Sequence, residues 1–354
     1  MSRPFVTPAL KRGTLTLCLG GAGGFAFFML NLPLPWILGS LAASTLATQV
    51  SNFEPKLPAS WRSYAMAAIG TMLGTGFTPD VLRQSGSWAV SLLTMTILST
   101  LFFFIAYAAF RRWSDMNRGT AFFSAMPGGL SVVSLLAEDY DVQVNRVVLC
   151  HSARIIVLLV SAPIVIKLIS GIDLADANQA LFHGAEEFDL LKQGLLAGAA
   201  ILSWALAKRV GFPSAMLLIP LVTSAVLHAT GLVTVHVSPV FSILAQIIIG
   251  SSVGARFLGY TFRQILRDGW LAALVGGVLA IGSLVGAMLI TPFTQAETPA
   301  LFLSYLPGGA PELGIVALAL MIDPAMVAAH HVVRVFLIVG ALPVFARRLR
   351  DTKS

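Results

Sequence analysis

Apolar residues run along this chain in blocks of about 20, separated by short polar breaks. The blocks fall at about 14–30, 34–50, 62–78, 86–110 and 142–169, and again at about 190–208, 212–228, 240–258, 269–291 and 325–346. Roughly 20 apolar residues cross a bilayer as a helix, so the pattern predicts ten crossings. One further apolar segment per half, at about 118–138 and 298–321, carries Pro-Gly-Gly near its middle. Proline removes a backbone donor and glycine adds freedom, so a helix should break there. The arms left on either side are about eight to ten residues, or about 12–15 Å, half of a ~30 Å apolar core. Such a segment is either a re-entrant hairpin with Pro-Gly-Gly at its tip or a spanning helix interrupted at mid-depth.

The second half repeats the first at a constant offset of 180 residues. Pro127-Gly128-Gly129 returns as Pro307-Gly308-Gly309, and His151 and Arg154 return as His331 and Arg334. Gly70, Gly74 and Phe77 return as Gly250, Gly254 and Phe257, and Arg83-Gln84 as Arg263-Gln264. One offset for every pair marks an internal duplication, a plan common among membrane transporters. It divides the chain into a first repeat at 12–170, an acidic linker at 171–189 and a second repeat at 190–348. The linker holds Asp173, Asp176, Glu186, Glu187 and Asp189 and shows no catalytic pattern.

Composition agrees with a membrane class. The chain is 56% hydrophobic and 11% charged, against about 45–50% and about 25% in soluble domains. Its mean hydropathy is +0.84. The net charge of +7 forms no basic stripe, because the Lys and Arg sit singly or in pairs between apolar blocks; this excludes nucleic acid as a partner and makes the charges topology signals. With the N-terminus cytoplasmic and both Pro-Gly-Gly segments re-entrant, each half crosses five times and the second half is inverted. That arrangement puts 18 of the 23 basic residues inside and 3 outside. Twelve parallel crossings would give 14 inside and 7 outside, so the positive-inside rule favours the inverted arrangement. Lys11 and Arg12 ahead of the first block resemble a signal peptide, but no small-residue cleavage site follows and the block reads as the first crossing. Cys18 and Cys150 lie in apolar runs and suggest neither a disulfide nor a metal site.

The chemistry sits in the repeated motifs. Pro127, Gly128, Gly129, Pro307, Gly308 and Gly309 would present free backbone groups at mid-depth, where irregular backbone must be buried or line a wet cavity; the competing reading is a kinked helix packed through its glycines. Asp323-Pro324 is a good helix start, and it sets Arg334 near mid-bilayer. A charge there costs at least about 2.5–3.5 kcal/mol on insertion scales, so it faces a partner or a cavity. Arg154 and Arg334 either attract an anion between the halves or are satisfied by carbonyls at a helix break, or by Glu312. His151 and His331, three residues before each arginine, are candidates for proton relay or for simple hydrogen bonding. Glu312 is a lone membrane carboxylate whose first-half equivalent is Val132, which makes it a candidate coupling site for H⁺ or Na⁺. Glu138, Asp139 and Asp141 read as a hydrated hairpin end. Gly70-x-x-x-Gly74, Gly250-x-x-x-Gly254 and Gly20-Gly21-Ala22-Gly23-Gly24 read as close-packing surfaces. His330-His331 gives weak support to a metal, because neighbouring helix positions diverge by about 100°.

The strings Ala125-Met126-Pro127-Gly128-Gly129-Leu130-Ser131 and Leu306-Pro307-Gly308-Gly309-Ala310-Pro311-Glu312, each followed by His-x-x-Arg, resemble the AbrB-type membrane protein family over about residues 12–348. Its members carry a duplicated membrane domain and are labelled ammonia monooxygenases or regulators. The family pattern keeps a Glu after Pro-Gly-Gly-Leu-Ser, and this chain holds it only at Glu312.

Together these readings predict an all-α polytopic protein of the bacterial inner membrane, with both termini cytoplasmic. Two inverted repeats of five crossings each would carry one Pro-Gly-Gly hairpin. The expected activity is transport of a small organic anion, coupled to H⁺ or Na⁺, with no cofactor and no catalytic residues. The expected partners are lipid bilayer and solute, and a homo-oligomer is compatible with the chain. Two other readings stay open: regulation of gene expression through a partner, which the regulator label implies, and a metal-dependent ammonia-type monooxygenase.

Overall fold

A computed structural model describes residues 8–50, 53–127, 142–171, 189–212 and 214–350; the side chains of 8, 9, 268 and 341–350 lie outside that description. Among the described residues all regular structure is helical. The first half forms α1 (Pro8–Met29), α2 (Pro35–Val50), α3 (Ala59–Gly74), the short α4 (Pro79–Gln84), α5 (Ala89–Trp113), α6 (Arg118–Ala125) and α7 (Val144–Ser170). The second forms α8 (Leu190–Val210), α9 (Ala215–Ala229), α10 (Pro239–Gly254), α11 (Phe262–Ile290), α12 (Thr298–Tyr305), α13 (Ala310–Ala319) and α14 (Pro324–Arg350).

Local chemistry sets the ends. Asp323 accepts from the Met326 N–H at 3.0 Å and Pro324 follows as the first helical residue, the start expected for α14. Asn117 caps α6 by accepting from the Thr120 N–H at 2.8 Å. Gly171, with φ 67°, closes α7 in the left-handed conformation that glycine adopts without strain.

Five stretches are long and apolar enough to cross a membrane: Pro79–Trp113, Val144–Ser170, Leu190–Val210, Pro239–Phe257 and Gly269–Phe293. The described residues are thus all-helical, with five helices compatible with a membrane protein. The blocks at 34–50, 62–78 and 212–228 become helices of 16, 16 and 15 residues, only about 22–24 Å long. Pro58, extended at ψ 138°, sits just before α3, which starts at Ala59, ahead of its block, and stops at Gly74, short of the block's end.

The structure forms two compact units, and each draws on both sequence halves. The first unit holds α1–α3 and α8–α10. Its contacts come in exchanged pairs. A Cβ on Gly70 would overlap the Leu217 carbonyl oxygen, and one on Gly250 would overlap that of Ile37. A Cβ on Gly74 would lie 2.6 Å from the Leu221 oxygen, and one on Gly254 would lie 2.6 Å from the Leu41 oxygen. Each second contact is the first with the halves exchanged at the same offset, which is the signature of a two-fold relation. Both small-xxx-small motifs therefore bring helix backbones into contact, α3 on α9 and α10 on α2. The glycine run of α1 does likewise: Gly23 meets the Gly39 carbonyl, and Gly24 meets Trp36.

The second unit holds α4–α7 and α11–α14. Phe102, Phe110, Ala106, Leu271, Val275 and Leu279 form an apolar seam between α5 and α11. Gly282 occupies the position equivalent to Phe102 and makes room for that ring, since a Cβ there would lie 2.8 Å from it. At one end of this unit Arg146 donates to Asp115 at 2.5 Å and to Gln143 Oε1 at 3.2 Å. The guanidinium holds the Asp115 carboxyl below the usual carboxylate range, mainly through that hydrogen bond.

Candidate functional site

Both broken segments stop at the same place. α6 ends at Ala125 and α12 at Tyr305, and the next residues, Met126 and Leu306, turn out of the helix at ψ 130° and 125°. Each precedes a proline, whose Cδ disfavours helical backbone in the residue before it. In the second copy α13 resumes at Ala310. Gly128 and Gly129 lie outside the described residues, as do Val132, Glu138, Asp139, Asp141 and 172–188 of the linker. Gly308 and Gly309 do not adopt positive φ. They are small because space is short: a Cβ on Gly308 would lie 2.7 Å from Leu313, and one on Gly309 would overlap the Glu312 carboxylate.

A helix that stops leaves its last carbonyls without partners, and here the His-x-x-Arg pairs supply them. His151 Nε2–H donates to the Phe123 oxygen at 2.9 Å, and Arg154 Nη2 donates to the Met126 oxygen at 2.8 Å. In the second copy His331 Nε2–H donates to the Leu303 oxygen at 3.2 Å, and Arg334 Nη1 donates to the Leu306 oxygen at 2.6 Å. The second pair of bonds is the first at the 180-residue offset. Arg334 adds a bond from Nη2 to the Ser304 oxygen at 2.6 Å. Each arginine also donates to Nδ1 of its own histidine, at 3.0 and 3.3 Å. The imidazoles thus use both nitrogens while neutral, Nε2–H towards a carbonyl and Nδ1 towards an arginine. A cation at a helix C-terminus also complements the helix dipole. Charge-assisted bonds of about 1.5–3 kcal/mol each are large enough to offset the insertion cost of about 2.5–3.5 kcal/mol per arginine.

The clamps leave donors over. Arg154 Nε and Arg334 Nε are buried without hydrogen-bond partners, and so are Ser124 Oγ and Ser304 Oγ, an equivalent pair. Neither arginine has a carboxylate ion pair among the described residues. The two guanidinium groups lie within Coulomb range of one another. Arg334 and Met126–Pro127 border one cavity of about 210 Å³, whose other walls include Thr96, Ser99, Thr100 and Phe122. The cavity therefore brings one arginine of the second repeat to the break of the first. Gly276 on α11 gives space to the Arg154 stem, with its Cβ position 3.3 Å from Cγ.

Glu312 stands in the first turn of α13, 4% exposed, with Oε2 buried and without a partner. Its carboxylate folds back over Gly309. His330 replaces the equivalent Cys150; its Nδ1–H donates to the Met326 oxygen at 2.8 Å and its Nε2 lies 2.9 Å from Ser91 Oγ. Among the described residues no three His, Cys, Asp or Glu side chains converge as a metal oxygenase would need. Carbonyls at a helix break were one of the sequence readings for the arginines, and the bonds from Arg154 and Arg334 match it; the paired serines and the hydroxyl-bearing face of α5 were missed. The serines were findable, because they repeat at the same offset as the motifs.

A family model described as "Transition state regulatory protein AbrB" matches residues 14–350, which include both breaks and both His-x-x-Arg pairs. The chain is 24% identical over 357 residues to "Uncharacterized protein YhjN" of Bacillus subtilis (strain 168), covering 94% of this chain and 92% of that one. It is also 24% identical over 346 residues to "Putative regulator AbrB" of Escherichia coli (strain K12), covering 96% and 97%. With a family match across nearly its whole length, the chain belongs to the AbrB family.

Proposed function

We propose that this protein is a secondary-transporter-like protein of the bacterial inner membrane that moves a small organic anion. The observation that carries the reading is the pair of buried arginines: each closes a helix break, neither has a carboxylate partner, and Arg334 borders a cavity with the opposite break. Interrupted helices whose ends meet at mid-depth are how many transporters bind charged solutes. The cavity, about 210 Å³, falls below the ~300 Å³ lower bound for drug-sized ligands, which suits a small solute. Pro127, Gly128, Gly129, Pro307, Gly308 and Gly309 would border the solute, with Arg154 and Arg334 supplying positive potential. Glu312 is the coupling group for H⁺ or Na⁺, because its side chain is buried and its Oε2 has no hydrogen-bond partner. His151 and His331 orient the arginines, both of their nitrogens being engaged.

The Arg146–Asp115 pair supports a re-entrant first hairpin and, through the odd number of crossings this leaves, inverted repeats; the cytoplasmic termini rest on the distribution of basic residues. Were segment 118–138 to span, the two residues would lie on opposite sides of the bilayer. A topology reporter inserted in the 171–189 linker should report the external side; a cytoplasmic signal rejects the inverted arrangement.

The activity is tested by uptake of a panel of small organic anions into vesicles containing the purified protein. Wild-type uptake should accelerate with an imposed ion gradient. Glu312→Gln should retain solute exchange at zero gradient while losing gradient-driven accumulation by about tenfold or more, as expected when one coupling carboxylate is removed. Unchanged accumulation in the variant removes Glu312 from coupling. A second reading, regulation of gene expression through a partner, draws on the printed names of the family and of the E. coli relative. It predicts no flux for any anion and capture of a cytoplasmic partner.

A further inference from the structure

A second polar cavity lies in the same unit, away from the breaks. It measures about 230 Å³ and is lined by Trp113, Asp115, Arg146, Arg267 and Trp270, among others. Its position along the helices is informative. Trp113 is the last residue of one crossing stretch and Arg146 lies in the first turn of the next, while Trp270 stands on α11 just after the charged first turns that hold Arg263 and Arg267. One crossing helix ends and another begins at this cleft, and on the third the charged turn gives way to apolar residues there, which puts the cleft at the boundary between apolar core and water.

The side chains match that boundary. Trp113 and Trp270 are 63% and 53% exposed. Tryptophans with an apolar body and one N–H donor concentrate at headgroup depth. Between them stand Arg146 and Arg267. Arg111 donates to the Met116 carbonyl at the cleft wall, at 2.9 Å. Asp115 is the described carboxylate among them, and its bond to Arg146 fixes that guanidinium in place. Guanidinium forks match phosphate oxygens in geometry as well as charge. A volume of about 230 Å³ holds roughly seven water-sized groups at ~30 Å³ each, enough for a phosphate and its glycerol linkage but not for acyl chains.

We propose that this cleft binds the phosphate headgroup of an anionic phospholipid, with the acyl chains running down the exposed apolar face of α11. That face offers Leu274, Val278 and Ile281, all exposed. The favourable charge distribution puts Arg111, Arg112, Arg146 and Arg267 on the cytoplasmic side, the leaflet side that presents anionic lipid. The site is separate from the solute reading and stands whether or not the protein transports.

The test is native mass spectrometry of the full chain in neutral detergent, titrated with phosphatidylglycerol and, separately, phosphatidylcholine of the same acyl chains. Phosphatidylglycerol should be retained in preference. Arg267→Gln should weaken its retention about fivefold, the worth of one basic residue at a lipid surface. Trp270→Ala should weaken it too, Arg267→Lys should keep most of it, and Arg83→Gln, on exposed α4, should leave it unchanged. Melting in phosphatidylcholine checks that each variant is folded. Equal retention of the two lipids, or retention indifferent to both Arg267→Gln and Trp270→Ala, overturns the proposal. Competition by inorganic phosphate or glycerol 3-phosphate at the same concentration as lipid also overturns it and assigns the cleft to a soluble phosphate.

Discussion

Arg334→Ala should destabilise the protein by about 3 kcal/mol, read as a loss of unfolding free energy in detergent or bicelles. Arg334 heads the largest fully buried side chains. Removing it strips the Ser304 and Leu306 carbonyls of their donors, at about 1–3 kcal/mol per buried unsatisfied group. It also opens a cavity, and large-to-small changes in a core cost about 2–5 kcal/mol. Against these works the relief of a buried charge, about 2.5–3.5 kcal/mol, which is smaller than their sum. Arg334→Gln keeps a neutral donor for one carbonyl and should lose less stability. Arg334→Lys keeps the charge, but its compact ammonium lacks the fork that spans two carbonyls. The series separates structure from function. If the arginine only caps the break, uptake should follow stability, and the glutamine variant should transport better than the alanine variant. If the charge attracts the solute, glutamine and alanine should lose uptake equally while lysine retains part of it. An alanine variant as stable as wild type would remove the clamp altogether.

The duplication was legible because a constant offset needs no structure to be seen, and it led straight to His151, Arg154, His331 and Arg334. Carbonyls at a helix break were among the partners expected for the arginines, but which carbonyls was not legible. Each histidine and arginine reaches back 28 residues to a main-chain oxygen, and carbonyls carry no residue-type signal. The breaks were foreseen from Pro-Gly-Gly, and of the two readings of the glycines, backbone freedom or close packing, Gly308 and Gly309 show the second: space beside Leu313 and Glu312 is short and neither adopts positive φ. Thr96, Ser99 and Thr100 gave no repeat signal, since Gly276, Leu279 and Ala280 stand at the equivalent positions. The division into two compact units was also hidden. It depends on contacts such as Gly70 with Leu217, which join residues of different halves far apart in the sequence. Block bounds shifted where turns intervened, as at α3, which runs Ala59–Gly74 instead of 62–78.

Gly70→Ala and Gly250→Ala should each destabilise by about 1–3 kcal/mol, the range for forcing extra volume into a packed site. A Cβ at either position meets a carbonyl oxygen of the facing helix, Leu217 or Ile37, and backbone cannot swing aside as a side chain tip can. The two costs should be similar, because the contacts are exchanged copies of one another. The double variant should cost close to their sum, since the sites lie on different helix pairs, α3 with α9 and α10 with α2. Gly194→Ala and Gly198→Ala on α8 provide the contrast. Nothing lies within 4 Å of a Cβ at either position, so alanine should be neutral or stabilise by up to about 1 kcal/mol through its better helix propensity. The same substitution therefore changes sign between helices of one unit, according to whether a backbone faces it. Equal melting shifts at Gly70 and Gly194 would show that propensity, not helix contact, governs these glycines. A cost at Gly70 with none at Gly250 would break the two-fold relation on which the inverted reading depends.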